Sequence, residues 1–160
     1  MGEIEQVDWR AIGAALAAPF APEAVEWRIQ GKGGAGARAQ LVAYISARDV
    51  AQRLDDVVTP GGWSFDWTPL HVDAAGNVQT ARGSLTLLGV AKADIGTAST
   101  FEPSKGCVSD CLKRCAVLWG IGRYLYGLPV VWVTLDAHGR IPDAALDKLR
   151  AGLQRRMVAA

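Results

Sequence analysis

A lysine and an arginine stand side by side at Lys113-Arg114, with Lys105 eight residues earlier. Adjacent cations of these two kinds can hold successive phosphates of a polyanion without reading bases, and Lys105 would extend such a track by two helical turns. Cys107, Cys111 and Cys115 recur every four residues. That spacing stacks thiols on one helix face, where side chains rarely meet disulfide geometry. It also lacks the paired CxxC units of a structural zinc site, and His71 and His138 are distant in sequence, so the cysteines read as reduced, small core residues with no metal. The glycine loop GKGGAG is not a P-loop, because Lys32 precedes most of the glycines and no GKS or GKT follows. Neither histidine sits beside a Ser, Cys or carboxylate in a spacing that activates a nucleophile. Nucleophile, base and orienting group are never together, so the sequence reads as a non-enzymatic chain that needs no cofactor.

The element that must position the basic pair is a helix predicted over 103–126. Pro103 suits its first turn, Gly120 and Gly122 weaken its last turns by roughly 1 kcal/mol each, and Gly127 and Pro129 end it. On a helical wheel Cys107, Val108, Cys111, Leu112, Cys115, Leu118, Trp119, Gly122 and Leu125 share one arc, the core side. Asp110, Lys113, Arg114 and Tyr124 share the opposite arc. Two readings of that arc stand. A phosphate could lie against the cations, or Asp110 pairs with one of them on a solvated face, worth only a few tenths of a kcal/mol.

Elsewhere the periodicity is clear. Asp8 caps a helix carrying Trp9, Ile12, Leu16 and Phe20, which ends near Pro19 and Pro22. Alternation over 25–30 and 38–45 around GKGGAG predicts a hairpin, and Ser46 with Asp49 resembles a capping box opening a helix that Pro60-Gly61-Gly62 closes. Further alternating strands are predicted over 63–72 and 78–90, with DAAGN as the turn and an exposed loop over 92–100. A short strand over 130–135 and a helix over 142–157 complete the chain. The expected fold is α+β: an antiparallel sheet built of β-hairpins, packed against a long central helix.

At 160 residues, half of them apolar, the chain suits one domain over 1–160, with its core at about 8–135 and the last helix at about 142–157. Seventeen basic against sixteen acidic residues leave a formal charge of +1, so no global field attracts a polyanion and any nucleic-acid site must be a local patch. The start, MGEIEQVDW, is acidic where a signal peptide is basic, and the apolar stretch 116–133 is interrupted by Arg123 and Pro129. A cytoplasmic location without membrane partners is expected.

The segment SKGCVSDCLKRCAVLWGIGRYLYG resembles the central helix of the Rad52-type single-strand annealing and recombination mediator family. VEWRIQGKGGAGARAQLVAYISARDVAQRLDDVVTPGGWSFDW is similar to the family's hairpin, following helix and Gly-Trp pair, so the likeness runs from about Val25 to Gly127. The DdrA-like bacterial DNA damage response branch is the more similar. The resemblance implies a protomer of a homo-oligomeric ring, nucleoid-associated, that carries single-stranded DNA in a basic groove. It implies protection of 3′ ends, strand annealing and contact with other repair proteins. Residue by residue it carries Lys113 and Arg114 to the DNA backbone, and Arg48 to a basic position near the start of the second helix. One departure is Val117, where eukaryotic members often place a further arginine. Lys32 and Arg38 flank the hairpin loop, either guiding DNA or solvating a turn. Trp27, Trp63 and Trp67 are either base-stacking platforms or packing residues. A reading from another class is a ring-forming assembly or partner-docking scaffold whose basic pair makes intersubunit ion pairs and whose DNA binding is incidental, a reading that Val117 favours.

Overall fold

Asp8 opens the first helix by accepting hydrogen bonds from the backbone N–H groups of Arg10 and Ala11 at 3.0 and 2.9 Å, satisfying two donors that no helical carbonyl can reach. The structure, a computed structural model, describes residues 7–31 and 34–159. In chain order the elements are α1 (Trp9–Ala17), β1 (Glu26–Gln30), β2 (Arg38–Tyr44), α2 (Ala47–Val58), β3 (Trp63–Val72), β4 (Val78–Leu87), β5 (Val90–Thr97), α3 (Pro103–Leu118), β6 (Val131–Thr134) and α4 (Asp143–Ala159). The fold is α+β, with four helices and two three-stranded antiparallel sheets among the described residues. Two compact units result, one from residues up to Ala18 together with Ala47–Arg123, the other from Pro19–Ser46 together with the residues after Arg123.

In the first unit β3, β4 and β5 form a meander, Trp63 opposite Leu87 and Leu87 opposite Val90. Helix α3 lies across β4 and β5, and two strand glycines set how closely. A Cβ added at Gly83 would meet the Cys111 Cβ at 2.7 Å, and one at Gly96 would meet the Cys111 backbone N at 2.5 Å. Neither separation is tolerated, so the small residues of strand and helix are a matched pair. Cys107, Cys111 and Cys115 are buried and unbridged, against Ala81, Leu85 and Val78. Val50, Leu54 and Val58 bury one face of α2. From α2, Arg53 donates through Nη1 to the carbonyls of Ala15, Leu16 and Ala18 at 3.3, 3.1 and 2.6 Å, closing the C-terminal end of α1 where carbonyls lack helical partners. Trp9 stacks on Trp119 with ring centroids 5.7 Å apart.

The second unit is a sheet in the order β1-β2-β6, with Trp27 opposite Ala43 and Gln40 opposite Trp132, and α4 packs on a 3-10 turn at Pro22–Ala24. Its buried residues include Phe20, Val25, Ala39, Leu41, Leu135 and Leu153. Asp136 accepts from the N–H groups of His138 and Arg140, which holds its carboxyl below the ordinary range and fixes the turn that leads to α4.

Three expectations from the sequence are corrected. The run 78–90 is not one strand, and of the loop expected over 92–100 the part up to Thr97 is strand. The chain reverses at Leu88-Gly89, both at positive φ (46° and 85°), and β5 returns along β4. The predicted helix over 103–126 stops at Leu118, because Gly120 and Gly122 adopt φ of 96° and 68°, outside the helical region, and a 3-10 turn occupies Arg123–Gly127. Leu118, placed on the core arc of the wheel, is exposed at that end.

Candidate nucleic-acid interface

The basic pair lies on α3 outside the row of cysteines that meets the sheet. Arg114 donates from Nε to Asp110 Oδ2 at 2.9 Å, one helical turn back, and the same carboxylate oxygen accepts the backbone N–H of Thr97 at 3.0 Å. Asp110 is therefore anchored to the end of β5 and in turn fixes the direction of one guanidinium edge. A guanidinium has five N–H donors, of which Asp110 takes one. Lys113 is half-buried on the adjoining ridge and Arg114 is exposed. Lys105, at the first turn of α3, is exposed and ion-paired to Glu102 at 2.9 Å. Exposed pairs of this kind are worth about 0.2 to 1 kcal/mol and yield readily to a polyanion.

Arg48 lies exposed in the first turn of α2, in the same unit as α3. Arg38 belongs to the other unit, exposed at the start of β2, and Lys32 lies outside the described residues. The structure thus places Lys105, Lys113, Arg114 and Arg48 on one unit and Arg38 on the other.

Two cations of the first unit serve a different purpose. Arg123 donates from Nε and Nη2 to the Val117 carbonyl at 2.9 and 2.6 Å and from Nη2 to that of Leu118 at 3.0 Å. Lys92 reaches the Leu118 carbonyl at 2.9 Å and sits 4.3 Å from the centroid of the Trp119 ring. Both neutralise the negative end of the α3 dipole.

The three tryptophans singled out from the sequence part company. Trp63 donates its indole N–H to Asp55 at 2.8 Å, Trp27 has its indole nitrogen buried, and only Trp67 is exposed. Three residues that the sequence does not single out stand on the other unit. The Arg28 guanidinium lies over the Tyr44 ring, and that of Arg38 over Trp132, which is half exposed. The signal for them is their alternation within strands that the sequence does reveal, but the register that brings them together is not written in any one strand.

Among the described residues no three His, Cys, Asp or Glu side chains gather as metal ligands. No described helix is long and apolar enough to cross a membrane. The cysteines beneath the basic face are kept protonated, Cys111 pushed up to about 11 by burial and the other two raised by the same cause.

The family model described as Rad52/22 family double-strand break repair protein matches residues 8–142. Two relatives named single-stranded DNA-binding protein DdrA, from Deinococcus radiodurans and Deinococcus deserti, are each 43% identical over 129 residues, covering 79% of this chain. The chain spans 60% and 62% of the length of those two relatives.

Proposed function

The chain belongs to the Rad52/22 family of double-strand break repair proteins, and from that premise we propose that it binds single-stranded DNA through the phosphate backbone, with Lys113 and Arg114 as the principal contacts. The observation that carries the reading is an exposed Arg114 beside Lys113 on a helix whose cysteine face is locked to a sheet. A rigid support holding adjacent cations outward suits a strand whose phosphates repeat and whose bases vary. Lys105 and Arg48 extend the track on the same unit, and Lys32 and Arg38 supply cations at the hairpin. The relatives named for single-strand binding support the same substrate class. In this reading residues 1–160 act as one Rad52-like DNA-binding domain, α3 takes the place of the family's central helix, and copies of the chain close into a ring in the bacterial cytoplasm at the nucleoid. The ring shelters 3′ ends, assists strand annealing and meets other repair proteins, with no catalysis by the chain itself.

The test is a titration of labelled single strands at several salt concentrations against the natural chain and a Lys113→Ala/Arg114→Ala variant. The variant is expected to bind at least about tenfold more weakly, and its salt dependence to flatten by about 0.7 for each phosphate it no longer neutralises. Equal affinity and equal slope would remove the pair from the interface. A second reading, an assembly scaffold with incidental DNA binding, draws on Val117, which leaves the face one cation short of the eukaryotic pattern. It predicts that the same variant dissociates oligomers in light scattering, whereas loss of binding by intact oligomers favours the DNA reading.

A further inference from the structure

The outer side of the β1-β2-β6 sheet carries two cation–aromatic pairs that the α3 site does not use. Strand alternation sends Ala39 and Leu41 inward to the core and Arg38, Gln40 and Tyr44 outward. Gln40 lies directly opposite Trp132, and Tyr44 opposite Glu26, so Trp132 and the β1 residues of that parity share the outer face. On it the Arg28 guanidinium lies 5.1 Å from the Tyr44 ring centroid, and that of Arg38 lies 5.8 Å from the Trp132 centroid. Each pair joins residues two places off direct register, the diagonal reach of long side chains across neighbouring strands. Trp132 is 51% exposed and Tyr44 38%.

A guanidinium held over an aromatic ring joins a π-face to a weakly hydrated positive charge. A nucleobase has the complementary parts: a π-face for the plane and a phosphate one linkage away for the charge. An antiparallel sheet is a suitable support, since it holds such platforms at fixed spacing, with about 20 Å of β2 between Arg38 and Tyr44, room for several nucleotides. Glu26, ion-paired to Arg28 at 2.7 Å, moderates the charge at the Tyr44 end and leaves the Trp132 end the more basic.

We propose that this sheet face is a second single-strand contact, in which Trp132 and Tyr44, backed by Arg38 and Arg28, stack bases of a single-stranded nucleic acid. The proposal rests on the single-strand reading of the chain and adds to it a base-dependent element that adjacent cations on a helix cannot provide.

The experiment measures fluorescence anisotropy of a labelled oligothymidylate and of an abasic oligomer of equal length, which keeps the phosphates and lacks the bases. The natural chain is expected to prefer the oligothymidylate. Trp132→Ala lowers affinity for it roughly tenfold while leaving the abasic oligomer unchanged, and Trp132→Phe keeps the preference. Lys113→Ala/Arg114→Ala weakens both oligomers alike. Tyr44→Ala reads the same face should the Trp132→Ala chain fail to give a cooperative melt. Equal binding of both oligomers by the natural chain overturns the stacking site and leaves the single-strand reading intact, whereas binding of neither overturns that reading. Trp132→Ala that changes particle mass in light scattering with the oligomer preference retained assigns the face to contacts between copies and overturns the proposal.

Discussion

The two sides of α3 are made of residues at the same helical spacing and are governed by opposite physics. Toward the sheet, Cys107, Cys111 and Cys115 replace larger apolar residues because Gly83 and Gly96 have brought the strands so near that even a methyl group cannot be added. Around the rest of the helix, Lys105 and Arg114 meet carboxylates at ion-pair distance on a surface that water screens. Steric tolerance on the inner side is a few tenths of an ångström, and the closest approaches there are between small groups. On the outer side geometry is loose and charge decides. The difference implies that fold and binding can be damaged separately from one helix, and each prediction tests whether that separation is real.

The largest effect is expected at the inner side. In Gly96→Val the new Cβ must lie 2.5 Å from a backbone nitrogen of α3, which cannot turn away as a side-chain tip can, so helix and sheet have to separate. A loss of about 3 kcal/mol or more is expected from urea unfolding, at or beyond the upper end of ordinary overpacking. A loss under about 1 kcal/mol would show that the helix rides loosely on the strands. The outer face would then have no rigid support.

A smaller effect separates the two sides by pH. Burial raises the Cys111 thiol to about 11 in the folded chain, above the ordinary thiol value of 9.0 that the unfolded chain restores. For an acid whose folded value is raised, the unfolded state loses its proton first. Stability is therefore full below about pH 9 and declines as the pH rises toward 11. Unfolding measured along this range should show the decline in the natural chain and a shallower one in Cys111→Ala, the difference isolating the thiol from lysines and tyrosines that titrate nearby. Parallel curves would mean that the thiol is solvated in the folded state.

Much of this arrangement was legible in the sequence because each part has a local cause. Alternation over 63–72 marked β3 to its ends, and the apolar arc of α3 followed from a spacing of four between cysteines. What escaped depends on backbone states that residue type does not announce. Leu88 at positive φ is an unusual turn residue, so the reversal into β5 looked like continuation, and the small residues of AKADIGT looked like a loop when they were making room for α3. The Arg38–Trp132 contact joins residues far apart in the chain, and only the pairing of β2 with β6 brings them together. Arg123 and Lys92 looked like any other cations until the helix stopped at Leu118 and exposed carbonyls for them to cap.

The smallest predicted effect is the most discriminating on the outer side, because Asp110 has two roles that pull in opposite directions. As a charge it opposes a phosphate approaching Lys113 and Arg114. As a hydrogen-bond acceptor it holds Arg114 Nε while itself anchored by the Thr97 N–H. Asp110→Asn removes the first role and keeps an oxygen for the second, since an amide carbonyl can still accept from Thr97. Stability should move by less than about 0.5 kcal/mol, as for other exposed ion pairs. If charge decides on this side of α3, single-strand affinity should rise about two- to threefold at low salt, and the gain should vanish at high salt where the carboxylate is screened. A fall in affinity that persists at high salt would mean that the ionised carboxylate positions Arg114 for the strand. The outer side would then depend on geometry as the inner side does, and the contrast between the two would fail at the residue where both influences meet.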